Sequence, residues 1–479
     1  MRASGQPVIQ DNPLTQAFPT NYNYSQHHDD GDAGMPRELL AGIDAGTTSV
    51  KVALLTPEGE QIALGRAPTT WERTTYGEET DAAALTRTAR VALADALAQS
   101  PDCRIIGIGI ASMAEAGVLV DEAGRVLAPV IAWHDHRDEH ELQELIAELG
   151  GETYSATTGL PLWTQWSVTK HKWLTRHVPA VAAATKRFSV AEWLAYDLGA
   201  GHASEPSLAS RTGMLDLRTA TWWEPALHWA GAEASLFGPL VPAGTGIGAA
   251  RGQGALAALD GAVVTVAGHD HQVAAIGMGA HRPGDEFDSA GTAEAILRTS
   301  TPDIATDAVR TLTAAGVTVG HHAAPGRWCL LGATQGGLIL GKVMAALGVD
   351  RDGLPQLDQA AAAADDVPTA VTLGPGSGDV TIDPDAAPGE IWRAATRGIT
   401  AQAAALSDRL TAASGPRRDL VVAGGWTHSA AVRDAKAVAF GPYRLSAVSE
   451  AGCRGAALLA GLAAGIYADL ESAPSPETA

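Results

Sequence analysis

At 479 residues the chain is too long for one ordinary domain, so two sizeable domains are the default. Its 46% hydrophobic content and mean hydropathy of +0.02 suit a packed protein and exclude a disordered one. The net charge of −21 (33 basic against 54 acidic residues) argues against nucleic acid or an anionic membrane as the main partner, since both reward clustered Lys and Arg.

Residues 1–36 are rich in Gln, Asn, Pro, His and Asp and lack the apolar core of a signal peptide. They are read as a disordered lead, with Met35 as the expected start, and residues 471–479 as a disordered tail. Order is expected to begin at residue 38 with a short apolar strand running into Asp44-Ala45-Gly46-Thr47-Thr48-Ser49. A second strand follows at 50–55, and a Pro-Glu-Gly-Glu turn leads to a third at 61–67. Residues 81–99 carry helical periodicity, and residues 105–110 read as a buried parallel strand. From about 138 to 235 the chain is helix-rich and tryptophan-rich, and most of those rings are expected in the core.

A second cycle begins with a strand at 262–266 that runs into Gly268-His269-Asp270-His271 and an Ala-rich helix. Residues 284–297 repeat the strand, Gly/Thr turn and strand of residues 39–55, a weak internal duplication. Helices are expected at 334–347, 390–413 and about 452–467, with a strand at 420–423 ending in Gly424-Gly425. The last apolar stretch, 455–468, is shorter than the roughly 18–20 residues of a membrane span. Cys103, Cys329 and Cys453 are odd in number and give no ligand spacing, which points to a reducing cytoplasm.

Four groups of residues carry candidate chemistry. In the first, Gly46 lets backbone N–H groups turn toward phosphate oxygens, and Thr47, Thr48 and Lys51 add donors. Asp44 at the strand end suits a magnesium-bound water, although the same residues could merely reverse a hairpin. In the second, Asp270 sits where a strand yields to a helix, placed to take a proton from a hydroxyl attacking phosphorus. It could equally be a plain helix N-cap, or His269 and His271 could ligate a metal, although no third ligand is evident. The third, Gly291 and Thr292, offers donors to a β- or γ-phosphate. The fourth, Gly424 and Gly425 with Gln335 and Gly336, would let an adenosine lie close to backbone.

The runs 44–49, 133–137, 170–174, 207–213, 268–270, 289–292 and 423–425 occur in an order that resembles the FGGY carbohydrate kinases. These belong to the wider actin-like ATPase group, and the resemblance spans about residues 39 to 467. It implies an α/β fold of two actin-like (ribonuclease H-like) lobes with an interdomain cleft for ATP and sugar. The expected division gives residues 37–255 to the sugar and phosphates and residues 256–470 to the catalytic base and adenosine. It further implies ATP and Mg2+ as cofactors, Asp270 as catalytic base, and Asp44 and Asp270 near the metal. Met113, Glu115, Trp133, Asp135 and Arg137 fall where these kinases grip the sugar. Xylulose kinases typically place Gln-Met-His where this chain has Met113-Ala114-Glu115, and glycerol kinases show Arg-Glu against Ala114-Glu115. A small sugar, ketose or polyol is the implied acceptor, with a xylulose-like ketose first. The implied setting is cytoplasmic, with no nucleic acid or membrane partner and a homodimer as the common assembly. A non-catalytic sugar or nucleotide sensor is the alternative on the same scaffold, and a His-Asp-His metal hydrolase the third reading.

Overall fold

The computed structural model describes residues 36–374 and 378–476. Residues 1–35 of the expected lead and 477–479 of the expected tail lie outside them. Residues 471–476 are not a free tail. Arg327 reaches Glu471 at 3.0 Å, and Arg454 donates to the Pro474 carbonyl at 2.6 Å.

The first lobe is built on β1 (Arg37–Ala45), β2 (Ser49–Leu55), β3 (Gln61–Pro68), β4 (Cys103–Ser112), β5 (Gly248–Ala249) and β6 (Val263–His269). They lie in the order β5-β6-β4-β1-β2-β3. β1 pairs antiparallel with β2 and parallel with β4, and β6 is parallel to β4. The helix α1 (Ala82–Ala98) covers one face, started by Asp81, whose carboxylate accepts from the Ala83 N–H. Farther along come α2 (Ser167–His177), α3 (Val190–Asp197), α4 (Pro206–Ser210) and α5 (Asp270–Gly277).

The second lobe uses β7 (Asp285–Ala290), β8 (Glu294–Ser300), β9 (Thr318–His321), β10 (Trp328–Thr334), β11 (Asp419–Ala423) and β12 (Arg444–Leu445). Their order is β9-β10-β8-β7-β11-β12. β7 pairs antiparallel with β8 and parallel with β11, as β1 does with β2 and β4. The duplication suggested by the two Gly/Thr turns is thus a duplication of sheet topology. Around this sheet lie α6 (Gly336–Ala346), α7 (Pro388–Ser414), α8 (Ala430–Phe440) and α9 (Ala451–Ala463).

Two features correct the expected division at residue 255. First, β6 enters the first sheet, so α5 and Asp270 begin on the first lobe. Second, α9, last in sequence, lies on the first sheet. A Cβ at Gly42 or Gly109 would run into the backbone carbonyls of Cys453 or Ala456, so only glycine permits that approach. Residue spacing reveals strands but not which sheet they join, and β6 follows a boundary-like stretch while pairing backward with β4. No helix among the described residues is long and apolar enough to cross a membrane.

Candidate active site

The turn after β1 is clamped by the side chains around it. Gly46 N–H donates to the Ser49 carbonyl (3.1 Å), and Thr69 Oγ1 donates to the Gly46 carbonyl (3.0 Å). Trp71 Nε1 donates to the Thr47 carbonyl at 2.7 Å, and Trp133 Nε1 to Thr47 Oγ1 at 2.9 Å. Met113 Sδ lies 3.9 Å from the same hydroxyl. Met113 and Trp133, expected at the sugar end, therefore meet the turn after β1. Lys51 is held by Glu450, the residue before α9, at 2.8 Å, and Arg66 takes the other oxygen at 2.5 Å.

Asp44 is half-buried, and its buried Oδ1 has no hydrogen-bond partner among the described residues. Its other oxygen faces Gly452 so closely that a Cβ there would collide with it. Burial pushes the Asp44 carboxyl up to about 7, with the charge of Asp270 adding and Lys51 opposing. Two mutually repelling carboxylates, one with an orphaned oxygen, are a donor set that fits a hard divalent cation.

Asp270 is the first residue of α5, and the N-cap position falls on His269. The plain N-cap reading of Asp270 is therefore replaced. Asp270 Oδ1 accepts from the His271 N–H (2.6 Å) and pairs with His271 Nδ1 (2.8 Å), while His269 Nε2 lies 3.2 Å away. Burial alone would raise this carboxyl, but the charge and hydrogen bonds of His271, aided by His269, hold it well below the usual carboxylate range. Burial pushes His269 down to about 3, so that ring is neutral. The three ligand-capable atoms lie within 4.8 Å of one another, yet both rings address one carboxylate oxygen, which is hydrogen-bonding geometry. Behind them, His269 N–H donates to Ser207 Oγ (3.0 Å), which donates to Glu205 Oε2 (2.5 Å).

Glu115 has φ of 67°, a left-handed conformation rare outside glycine. Ser167 Oγ fixes its carbonyl at 2.6 Å, with Arg187 Nη2 at 3.4 Å. Its Oε1 takes Arg211 Nε (2.7 Å), Arg211 Nη2 (2.6 Å) and Gln165 Nε2 (3.1 Å). Burial raises its carboxyl, Arg211 opposes that, and Asp270 adds to it, so Glu115 and Asp270 share one electrostatic neighbourhood. Arg211 also donates to Thr318 Oγ1 of β9 at 3.1 Å, tying the two lobes together.

Asp135 and Arg137 are not presented to a ligand. Arg137 Nε meets Asp135 Oδ1 at 2.9 Å, Nη1 meets Glu79 at 2.7 Å, and both side chains are 2% exposed. Their expected part in gripping the sugar is corrected to a buried brace, completed by the Trp173 ring under the guanidinium.

The second-lobe candidates do converge. A Cβ at Gly337 would strike the carbonyls of Gly291 and Thr292 and the Trp426 indole, and one at Gly424 would strike the Ala290 backbone. The Gly291-Thr292 turn, the Gln335-Gly336 start of α6 and the Gly424-Gly425 strand end therefore form one glycine-lined cradle. Buried Lys436 of α8 braces it from beneath, meeting Asp288 of β7 and Glu294 of β8, the latter at 2.5 Å. Glu294 in turn accepts from Thr334 Oγ1 (2.8 Å) beside Gly336.

The sequence reading missed Arg211, Gln165, Trp71, Ser207 and Lys436. Arg211 and Ser207 lie within residues 207–213, but nothing local marks either as a partner of a residue about 60–100 positions away. The family model described as FGGY family of carbohydrate kinases, N-terminal domain, matches residues 39–277. A glycerol kinase of Janthinobacterium sp. (strain Marseille) is 30% identical over 361 residues, 72% of this chain and 69% of that protein. A gluconokinase of Bacillus subtilis (strain 168) is 30% identical over 210 residues, 42% of this chain and 40% of that protein. The structure of xylulose kinase from Rhodospirillum rubrum superposes with a TM-score of 0.81 at 25% identity, covering 92% of this chain and 93% of that one.

Proposed function

Because the chain belongs to the FGGY family of carbohydrate kinases, phosphotransferases with an alcohol acceptor, we propose that it moves the γ-phosphoryl group of ATP onto a hydroxyl of a small sugar, ketose or polyol. A xylulose-like ketose is the first acceptor to test, and the cytoplasm is the compartment this reading expects. One observation carries the reading: Asp270 opens α5 directly after β6, with Oδ1 held by His271 and His269.

Asp270 Oδ1 is filled by His271, with His269 beside it, which leaves Oδ2 to receive the acceptor hydroxyl. The hydroxyl's proton moves late, when the oxygen has begun to bond phosphorus and has become acidic, so even a carboxylate of low pKa can take it. The turns at Gly46-Thr47-Thr48 and Gly291-Thr292 supply N–H and hydroxyl donors for phosphate oxygens, and the cradle at Gln335-Gly336 and Gly424-Gly425 receives the adenosine. Asp44 and Asp270 would hold Mg2+, partly through water, and that ion would offset phosphate charge. Excluding water from the closed cleft keeps ATP from simple hydrolysis.

Sugar-dependent ADP release across pentuloses, hexuloses, tetruloses and polyols tests the proposal. At least one compound should raise the rate far above the sugar-free background, and chelation of divalent cations should abolish it. A flat response across the panel would transfer the weight to the sensor reading.

A further inference from the structure

The polar atoms at the acceptor end are unevenly used. Glu115 Oε1 takes three N–H donors, whereas Oε2 takes none among the described residues. Asp270 repeats the pattern, with Oδ1 filled and Oδ2 without a donor among the described residues. What the site offers a ligand there is therefore two carboxylate oxygens, which are acceptors only.

The cations nearby are already committed. Arg211 spends Nε and Nη2 on Glu115 and Nη1 on Thr318, and its face lies 4.8 Å from the centre of the Trp166 ring. Arg187 is buried behind Glu115, against its backbone carbonyl and over the Phe237 ring. Lys170 is enclosed by Asp138 and the carbonyls of Asp135 and Thr164. His271 answers Asp270, and its charge is felt at Asp44, on the phosphate side of the base.

From this, and resting on the kinase reading above, we propose that the acceptor is a neutral polyol or ketose and that sugar acids are rejected. A hydroxyl donates into Glu115 Oε2 and a second into Asp270 Oδ2, so both lone-pair sites are satisfied. A carboxylate in the same place has no proton to give and meets two carboxylates, with Arg211, Arg187 and Lys170 already committed elsewhere. Sites that discriminate by leaving buried polar groups unpaired do so strongly. The proteins similar to this chain bear names on both sides of this divide, glycerol and xylulose against gluconate, so resemblance alone does not decide it.

The test uses matched pairs: glycerol with glycerate, erythritol with erythronate, xylulose with xylonate, and glucose with gluconate. For each, kcat/KM is read by ADP release, and binding to the full chain with ADP is read by calorimetry. A neutral member should be phosphorylated, with its acid partner lower by about 100-fold or more. In Glu115→Gln one negative charge is gone and Arg211 is released, so the acid-to-neutral ratio should rise at least about tenfold. An acid that is bound and turned over better than every neutral compound overturns the inference, as does an unchanged ratio in Glu115→Gln. Neutral compounds that bind in preference to acids without turnover would leave the inference standing and sink the kinase reading. Absence of both binding and turnover for every compound would overturn both.

Discussion

Glu205 shows how one buried carboxyl can shape the pH response of the molecule. Burial pushes it up to about 8, against the pull of hydrogen bonds from Ser207 and Leu208. An unfolded glutamate titrates near 4.3, so between about pH 4 and 8 the folded state binds the extra proton. The folded pKa is the raised one, and this contribution to stability is therefore present at low pH and lost as pH rises toward 8. Glu205→Gln keeps an oxygen for Ser207 and for the Leu208 N–H while removing the titration. Its melting temperature should gain on that of the wild type as pH goes from 5 to 8, and parallel melting curves would refute the assignment. At this scale the sequence was legible for the position of Asp44 and Asp270, because a strand followed by Gly-Thr or by a helix marks the strand end on which each carboxylate sits. The resemblance put Asp135 and Arg137 at the sugar, and nothing local in the sequence marks them as a buried pair. Only the fold shows Glu79 and Trp173 closing over them.

Elements carry the nucleotide half of the account. Lys436 joins α8 to β7 and β8, and through Glu294 and Thr334 it reaches the start of α6. Burial and the neighbouring Glu294 push Asp288 up to about 7, with Lys436 opposing, so the lysine is what keeps the pair tolerable. Lys436→Met leaves two buried carboxyls without their cation and should cost about 3–5 kcal/mol of stability. Its surviving folded fraction should show a raised KM for ATP and an unchanged KM for the sugar. Asp288→Asn combined with Lys436→Met should recover part of the stability, and a loss confined to the sugar KM would contradict the placement. The internal duplication was readable from residues 39–55 and 284–297, since both halves spell strand, Gly-Thr turn and strand. The placement of β6 and α9 on the first sheet was not readable. It depends on tertiary packing across hundreds of residues, as where Gly42 and Gly109 admit the α9 backbone.

Across the whole molecule, the site is shared between two lobes with related sheets. Asp270, Asp44 and Glu115 stand on the first, the glycine-lined cradle proposed for adenosine on the second, and Arg211 with Thr318 bridges them. The boundary expected from sequence shifts at Asp270, which opens a helix at the end of a first-sheet strand. The claim on which the account turns is that Asp270 takes the acceptor's proton. Phosphorylation of the best acceptor by wild type and Asp270→Asn, with thermal melts of both, tests it directly. The amide keeps the shape of the side chain, and removing a negative charge from the first turn of a helix costs about 0.3–1 kcal/mol. The account predicts a kcat lower by about 10²–10⁴, both Michaelis constants little changed, and a folded variant. Turnover within a few fold of wild type would contradict it.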